Sequence, residues 1–335
     1  MRRTGLVLAA VLGLALPAAA QDAAEWNKVI ETGKKEGKVT LYTSTLGAPF
    51  HNAVIATFEK KYGIRVELLD VRASELRERI RTEQTTNRFL GDVLQNGSAT
   101  TMRQRGEGVL QPHGGIPNAR NLREPFKADD MQVPSYVLGY GVLVNTNLVR
   151  PADEPRSWKD LLDPKWKGKI LSDDVRALGG GHVMFFALHD KVGRDYLETL
   201  AGQSLLFSRE IGNDERRVAR GEFPLRIPQL FSNYTLMKGL PVKLAIPEEG
   251  APYIQFDLSI LRNAPHPNAA RLMIDHYLSP EAQLIYANAA LIPVSRGVVE
   301  KTNPEVRELA SARLLGTTNP ANQDAMLDLA KQLFK

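Results

Sequence analysis

Along its first third the chain alternates between two kinds of apolar pattern. KVTLYTS has the near-continuous apolar and β-branched character of a buried strand, whereas PFHNAVIATFEKKY spaces its apolar residues as an amphipathic helix does. The pattern predicts a helix over Ala24 to Lys35, a strand over Lys38 to Tyr42, a helix over Ala48 to Tyr62 and a strand over Arg65 to Leu69. A helix over Ala73 to Thr85 and a strand over Asp92 to Asn96 come next. Strands and helices alternating at this spacing build a parallel sheet covered on both faces.

The rhythm then changes. VPSYVLGYGVLVNTNLV is extended and rich in β-branched and aromatic residues, and PADEPRSWKDLLDPKWKGKIL reads as an ordered, packed connection. The strand KILSDD, the loop LGGGH and the helix VMFFALHDKVG open a second α/β block that runs to Ala245. Another extended apolar segment, PEEGAPYIQFDLSIL, leads to a helical tail: NAARLMIDHYLSPEAQLIYANA and later NQDAMLDLAKQLFK. At 335 residues the chain suits two domains of about 150 residues each. The expected division is a first lobe of residues 21–134 plus 262–335 and a second of 146–251, with hinge strands at 135–145 and 252–261. The C-terminal helices are placed with the first lobe and in reach of the second. Glu248 and Glu249, just before the second hinge, are candidates to cap or brace it.

The amino terminus has its own signature. Arg2-Arg3, the apolar run Leu6 to Leu16 and Ala18-Ala19-Ala20 form the three-part layout of a secretory signal peptide, residues 1–20, cleaved before Gln21. The run is about half of the roughly 20 apolar residues that a membrane span needs. With no cysteine there is no site for a lipid anchor, so the expected product is a soluble periplasmic protein. The 43 basic and 38 acidic residues leave a net +5, but they are intermixed, as in RASELRERIRTEQ. Nucleic-acid binders gather such charge into one stripe. Neither nucleic acid nor stable membrane insertion is expected.

Chemistry in such a fold belongs where strand carboxyl ends and helix amino ends face a cleft. Ser44 and Thr45 follow the first strand, Asn96-Gly97-Ser98 follow the third, and Gly179-Gly180-Gly181 precede a later helix. Helix amino termini with small residues suit an anion, because free N–H groups and the macrodipole both favour negative charge. The plainer reading of Ser44, Thr45 and Ser98 is N-capping. Arg72 and Arg209 are candidate grips for an oxyanion, since a guanidinium offers paired donors. Asp173-Asp174 argue the other way and favour a cation or metal. Tyr140, in the first hinge segment, offers a flat face and a hydroxyl. There is no GxSxG, HExxH, SxxK or P-loop, and the six histidines lack metal-ligand spacing, so no enzymatic activity and no cofactor are expected.

Taken together, the signal peptide, VTLYTS, FEKKYGIRVELL, GDVLQNG, YGVLVNTNLV, SWKDLLDPKWKGKI, ARGEFPL, KGLPVKLAIPEEGAP, NAPHPNAARLMIDHYLSPEAQLIYA and ALIPVSRGV resemble, in this order, one family. It is that of the periplasmic substrate-binding proteins of ABC importers, the ferric-ion-binding branch of the family 1 type. The resemblance implies a type II α/β fold of two lobes, each a sheet flanked by helices, joined by two hinge strands and closing over a ligand. It implies a monomer that hands its ligand to an inner-membrane permease with its ATPase. In ferric relatives the metal is held by a histidine after the first strand, a glutamate after the third and two adjacent tyrosines. Here Leu46 stands near the histidine position, Gly97 near the glutamate, and Asn233-Tyr234-Thr235 replace the tyrosine pair, with His51 nearby at the start of a helix. Tyr234 is thus the one candidate metal ligand, and a contact for any other ligand. The expected cargo is a small organic anion bearing a carboxylate or phosphate. The alternatives are a ferric carrier and, more remotely, a periplasmic hydrolase or a receptor-presenting binding protein.

Overall fold

A computed structural model describes residues 18–45 and 48–335. The expected signal peptide lies outside the described residues up to position 17, and so does Leu46. The first helix, α1 (Ala18–Glu36), begins six residues earlier than the apolar pattern predicts.

The first α/β block contains β1 (Lys38–Thr43), α2 (Pro49–Tyr62), β2 (Arg65–Asp70), α3 (Ala73–Thr85), β3 (Val93–Gly97), α4 (Ser98–Gly106) and the short β4 (Leu110–Gln111). In α2 the residues Phe50, Val54, Phe58 and Tyr62 recur at four-residue spacing and are buried, so the helix lays one stripe on the sheet. Gly63 ends it in the left-handed conformation, φ 68°, which costs a residue without a Cβ little.

Two long strands carry the chain between the blocks: β5 (Val133–Asn145) and, much later, β10 (Ala251–Leu261). Between them come β6 (Ile170–Asp173), α5 (Gly180–Lys191), α6 (Arg194–Ala201), β7 (Leu206–Ser208), α7 (Ile211–Ala219), β8 (Leu225–Leu230), α8 (Phe231–Tyr234) and β9 (Val242–Ala245). After β10 follow α9 (Pro267–Tyr277), α10 (Pro280–Asn288), β11 (Ile292–Pro293), α11 (Pro304–Ala310), β12 (Leu314–Gly316) and α12 (Gln323–Leu333). The single helical run read in NAARLMIDHYLSPEAQLIYANA is two helices. Ser279 caps the second by accepting from the Ala282 N–H, and Pro280 occupies its first turn.

The strand order is β2-β1-β3-β10-β5-β8-β6-β7, with β9 and β11 also on β5 and β4 and β12 also on β10. Through its first half β5 pairs β10 and β11; through its second half it pairs β8 and β9. The register orients both halves. Gly97, the end of β3, lies opposite Phe256 midway along β10, while Val93 lies opposite Ile260 near its end, so β3 points toward the second block. Leu230, the end of β8, lies opposite Tyr140, while Leu225 lies opposite Val144, so β8 points back toward the first. The carboxyl edges of the two parallel sheets therefore face each other across the middle of β5 and β10.

Two principal cores support this arrangement. The larger packs Val39, Leu41, Phe58, Tyr136, Leu258, Met273 and Tyr286. The other packs Val142, Trp158, Ile170, Phe185, Leu197 and Ile227, and takes in Ala330 and Phe334 from the chain terminus. The connection read as packed is so: Trp158 is fully buried, and its Nε1–H donates to the Gly250 carbonyl at 3.0 Å. The Trp158 backbone N–H donates to Glu249 at 3.1 Å, so Glu249 braces the start of β10, and the Glu248 N–H donates to the Arg156 carbonyl.

Candidate functional site

On the first lobe the site begins where β1, β2 and β3 end. Ser44 Oγ donates to Asn96 Oδ1 at 2.8 Å, and the same oxygen accepts the Gly97 N–H at 2.8 Å. That arrangement leaves the Asn96 Nδ2 amide buried without a partner. Thr45 uses its N–H and its hydroxyl on the Asp70 carboxylate, at 2.9 and 3.3 Å. The residue at the N-cap of α2 is Ala48, with no side-chain cap, so neither Ser44 nor Thr45 caps that helix. The capping reading is corrected for Ser98 as well. Gly97 holds the N-cap position of α4, Ser98 is the first helical residue, and its hydroxyl bonds the Asp257 carboxyl. Both loops use their polar side chains to tie strand ends together instead of closing helices.

His51 lies in the first turn of α2, 1% exposed, with neither ring nitrogen hydrogen-bonded. Burial lowers its pKa from 6.5 to about 4, although the Asp70 carboxylate pulls the other way. It is a neutral core residue packed on Phe50 and Tyr136. Arg72 is exposed at the start of α3. Between α4 and the long strands lies a cavity of about 400 Å³ whose lining includes Ser98, Arg105, Gln255 and Asp257. Burial raises the Asp257 pKa above the usual carboxylate range, and Gln132 and Gln255 both donate to it.

On the second lobe, the ends of β6 and β8 and the starts of α5 and α7 converge on a small pocket. Tyr140, Asp173, Gly180, Ile211, Arg226, Pro228 and Leu230 line it, with free space of about 20 Å³, roughly one water. Gly180 is needed for close approach: a Cβ there would sit 3.0 Å from the Tyr140 ring and 3.3 Å from Asp173 Oδ2. The glycine-rich helix start already holds an anion. Asp173 accepts the Gly181 N–H at 2.7 Å and the Asp174 N–H at 3.1 Å, so the carboxylate lies where an anionic ligand was expected. Tyr140 is buried, and burial together with the Asp173 charge raises its pKa well above 10, so it stays a neutral phenol.

Arg226 escapes a reading of the sequence. It is 2% exposed, and its Nη1 donates to the Pro228 carbonyl at 2.7 Å and to Gln229 Oε1 at 2.9 Å. Its Nε has no partner. Gln229 in turn donates to Glu215 at 2.7 Å, and Asn233 donates to the same carboxylate at 3.0 Å. Burial lowers the guanidinium's pKa, and the nearby Glu215, Asp173 and Asp214 charges oppose that. The available signal was a lone arginine inside the apolar strand LRIPQL. Arg209 is exposed and near Asp174, whose own close partner is Arg176 at 2.8 Å. Tyr234 is half-buried and packs against both the larger core and the cluster around Met237.

The structure thus brings Ser44, Thr45, Asn96, Gly97 and Ser98 together at one sheet edge and Tyr140, Asp173 and Gly180 at the other, with Arg72 and Arg209 exposed. Among the described residues no three His, Cys, Asp or Glu side chains converge to hold a metal, and no helix is long and apolar enough to cross a membrane.

Comparison with known proteins matches this architecture. The family of bacterial extracellular solute-binding proteins matches residues 90–317. A Salmonella typhimurium protein, provisionally named a 2-aminoethylphosphonate-binding periplasmic protein, is 29% identical over 242 residues, 68% of each chain. The solved Trichodesmium protein IdiA (FutA), in complex with iron and citrate, superposes with TM-score 0.73 at 20% identity, covering 89% of this chain and 99% of that one. The substrate-binding protein of an ABC transporter from Agrobacterium tumefaciens superposes with TM-score 0.73 at 14% identity, covering 89% and 94%. The facing sheet edges are those of a type II binding fold, and with the family match extending over most of its length, this chain belongs to the bacterial extracellular solute-binding proteins.

Proposed function

We propose that this protein is the periplasmic capture component of an ABC importer, and that it binds a small organic anion between its two sheet edges. One observation carries the anion: each wall holds a buried donor that lacks an acceptor, Asn96 Nδ2 on the first lobe and Arg226 Nε on the second. An unmatched buried donor costs about 1–3 kcal/mol, which an oxyanion on the ligand would recover. Ser44 holds the Asn96 side chain in place, and the Tyr140 phenol lines the pocket beside Arg226. Residues 21–134 with α9 to α11 act as one lobe and 146–251 with α12 as the other, and β5 and β10 flex as the lobes close. The chain acts as a monomer, performs no chemistry on its cargo and passes it to an inner-membrane permease. The name of the Salmonella relative supports a phosphonate-type cargo. The iron and citrate of the Trichodesmium protein support a ferric cargo instead, which here has only Tyr234 of its usual donors.

The test is mass spectrometry on the small molecule released when freshly purified protein is denatured. A carboxylate or phosphonate compound is expected, and adding it back should shrink the radius of gyration in small-angle scattering. Released ferric ion, with a tyrosinate-to-iron absorption band on reloading, would overturn the reading.

A further inference from the structure

Asn96 has neighbours on both flanks of its strand. Ser44 bonds its side chain on the β1 side, and on the other side register sets Asn96 directly across from Asp257 of β10. Directly opposed residues hold their Cβ atoms about 4.5–5.5 Å apart on one face of a sheet. Asp257 is 2% exposed, and its carboxyl gathers donors from three places in the chain. Gln255 Nε2 of β10 donates at 2.6 Å, Gln132 Nε2 just before β5 donates at 3.2 Å, and the Ser98 hydroxyl donates from the start of α4. The cations on the same cavity wall pair elsewhere, Arg105 with Asp129 and Asp130, and Lys127 with Glu124. A buried carboxyl without a cation carries a desolvation cost, so an apolar residue would serve better if packing were all that the position required. Three converging donors need a group that only accepts, and a carboxylate is that group. Strand pairing is weak at the same point. The register of β10 on β5 shifts between Phe256 and Asp257, which leaves Ser135 as the extra residue of a bulge, and Pro134, opposite Asp257, has no N–H to give. Where the long strands cross from lobe to lobe, the bonds to Asp257 therefore supplement an interrupted ladder.

We infer that Asp257 is a positioning residue for ligand binding: by holding Ser98 it fixes the start of α4, and with it the Asn96 amide, against the two strands that link the lobes. Gly97, between Asn96 and Ser98, is both the end of β3 and the N-cap of α4. Its N–H donates to Asn96 Oδ1 at 2.8 Å, so a shift of the helix start is passed to that amide. Asp257 acts through Ser98 and does not touch the cargo. The inference rests on the organic-anion reading above, in which Asn96 Nδ2 is a ligand donor.

Competition dialysis of the mature chain tests it, with the small-molecule fraction released from denatured wild-type protein as the probe. Ligand-free wild type and variant share one reservoir, and the ratio of bound probe gives their relative affinity. Ser98→Ala and Asp257→Asn should each bind about tenfold more weakly, the usual effect of losing a hydrogen bond to a charged group. The double variant should be at most about twofold weaker still, because both changes cut one link. Without the probe, hydrogen exchange should speed up in α4 of either variant and hold in α6, a pattern that a general loss of stability does not produce. Should Asp257→Asn fold poorly, Asp257→Ser, smaller and still able to accept, takes its place. Wild-type affinity in Ser98→Ala, losses that add in full in the double variant, or unchanged exchange in α4 overturns the inference and leaves the organic-anion reading standing. A fraction holding nothing that wild type rebinds also overturns it, and is the one outcome that counts against the organic-anion reading as well.

Discussion

The first-lobe wall consists of the last residues of β2 and β3 with the residues that follow β1, and they bond mainly to one another: Ser44 to Asn96, Thr45 to Asp70. The second-lobe wall draws on β5, β6, β8, α5 and α7, and its polar groups include the buried charges Asp173, Glu215 and Arg226. A wall tied together by hydrogen bonds from neutral donors loses little when one donor is removed, since each bond is worth about 1 kcal/mol. A wall of buried charges loses far more, because each group left behind keeps its desolvation cost without its partner.

The largest expected effect tests that contrast directly. Arg226→Met removes the buried cation near Asp173, Asp214 and Glu215, and should destabilise the protein by about 3–5 kcal/mol in urea denaturation. A loss below about 1 kcal/mol would mean that the second wall is no more charge-dependent than the first.

Next comes acid sensitivity on the first lobe. His51 is neutral in the fold with a pKa near 4, and the unfolded chain takes up that proton near pH 6.5. The unfolded state therefore gains protons first as pH falls, so the stability contribution is intact above about 6.5 and is lost between 6.5 and 4. At pH 5 the cost is about 2 kcal/mol. His276, also lowered to about 4 by burial, adds an effect of the same sign. Stability curves of wild type and His51→Phe at pH 7 and pH 5 should differ in slope by about that 2 kcal/mol; parallel curves would remove His51 as the weak point.

Ser44→Ala should cost about 1 kcal/mol of stability, since Asn96 Oδ1 keeps the Gly97 N–H. Its effect on affinity sharpens the comparison: a drop of roughly tenfold would show that Ser44 positions the Asn96 amide for the ligand. Smallest of all, Glu305→Gln breaks the ion pair between Lys238, beside the second-lobe sheet, and α11 of the first lobe at 3.1 Å. Both side chains are well exposed, so thermal unfolding should register at most about 1 kcal/mol.

The α/β rhythm, both long strands and the elements from α1 to β3 were legible in the pattern of apolar residues, because periodicity of 2 or 3.6 is a local property of the chain; α4 and β4 were not read from it. The strand-end loops were legible for the same reason: in such sheets the carboxyl ends carry the ligand site wherever they lie in sequence. What Ser44, Thr45 and Ser98 do there was not legible. Capping is a choice among partners, and Asn96, Asp70 and Asp257 were the nearer acceptors only after β1, β2, β3 and β10 had come together. The anion expected at Gly179-Gly180-Gly181 is the protein's own Asp173, a contact set by how β6 turns into α5. Arg226 was hidden most completely. In LRIPQL it reads as one polar residue in an apolar strand, and the sheet's packing against α7 buries it among acids from other segments. Sequence pattern determined which backbone groups would form sheets and helices, since hydrogen bonding and burial of apolar surface act over a few residues. Only tertiary structure decided which charges meet, because electrostatic energy depends on distance and desolvation across segments that the chain order does not relate.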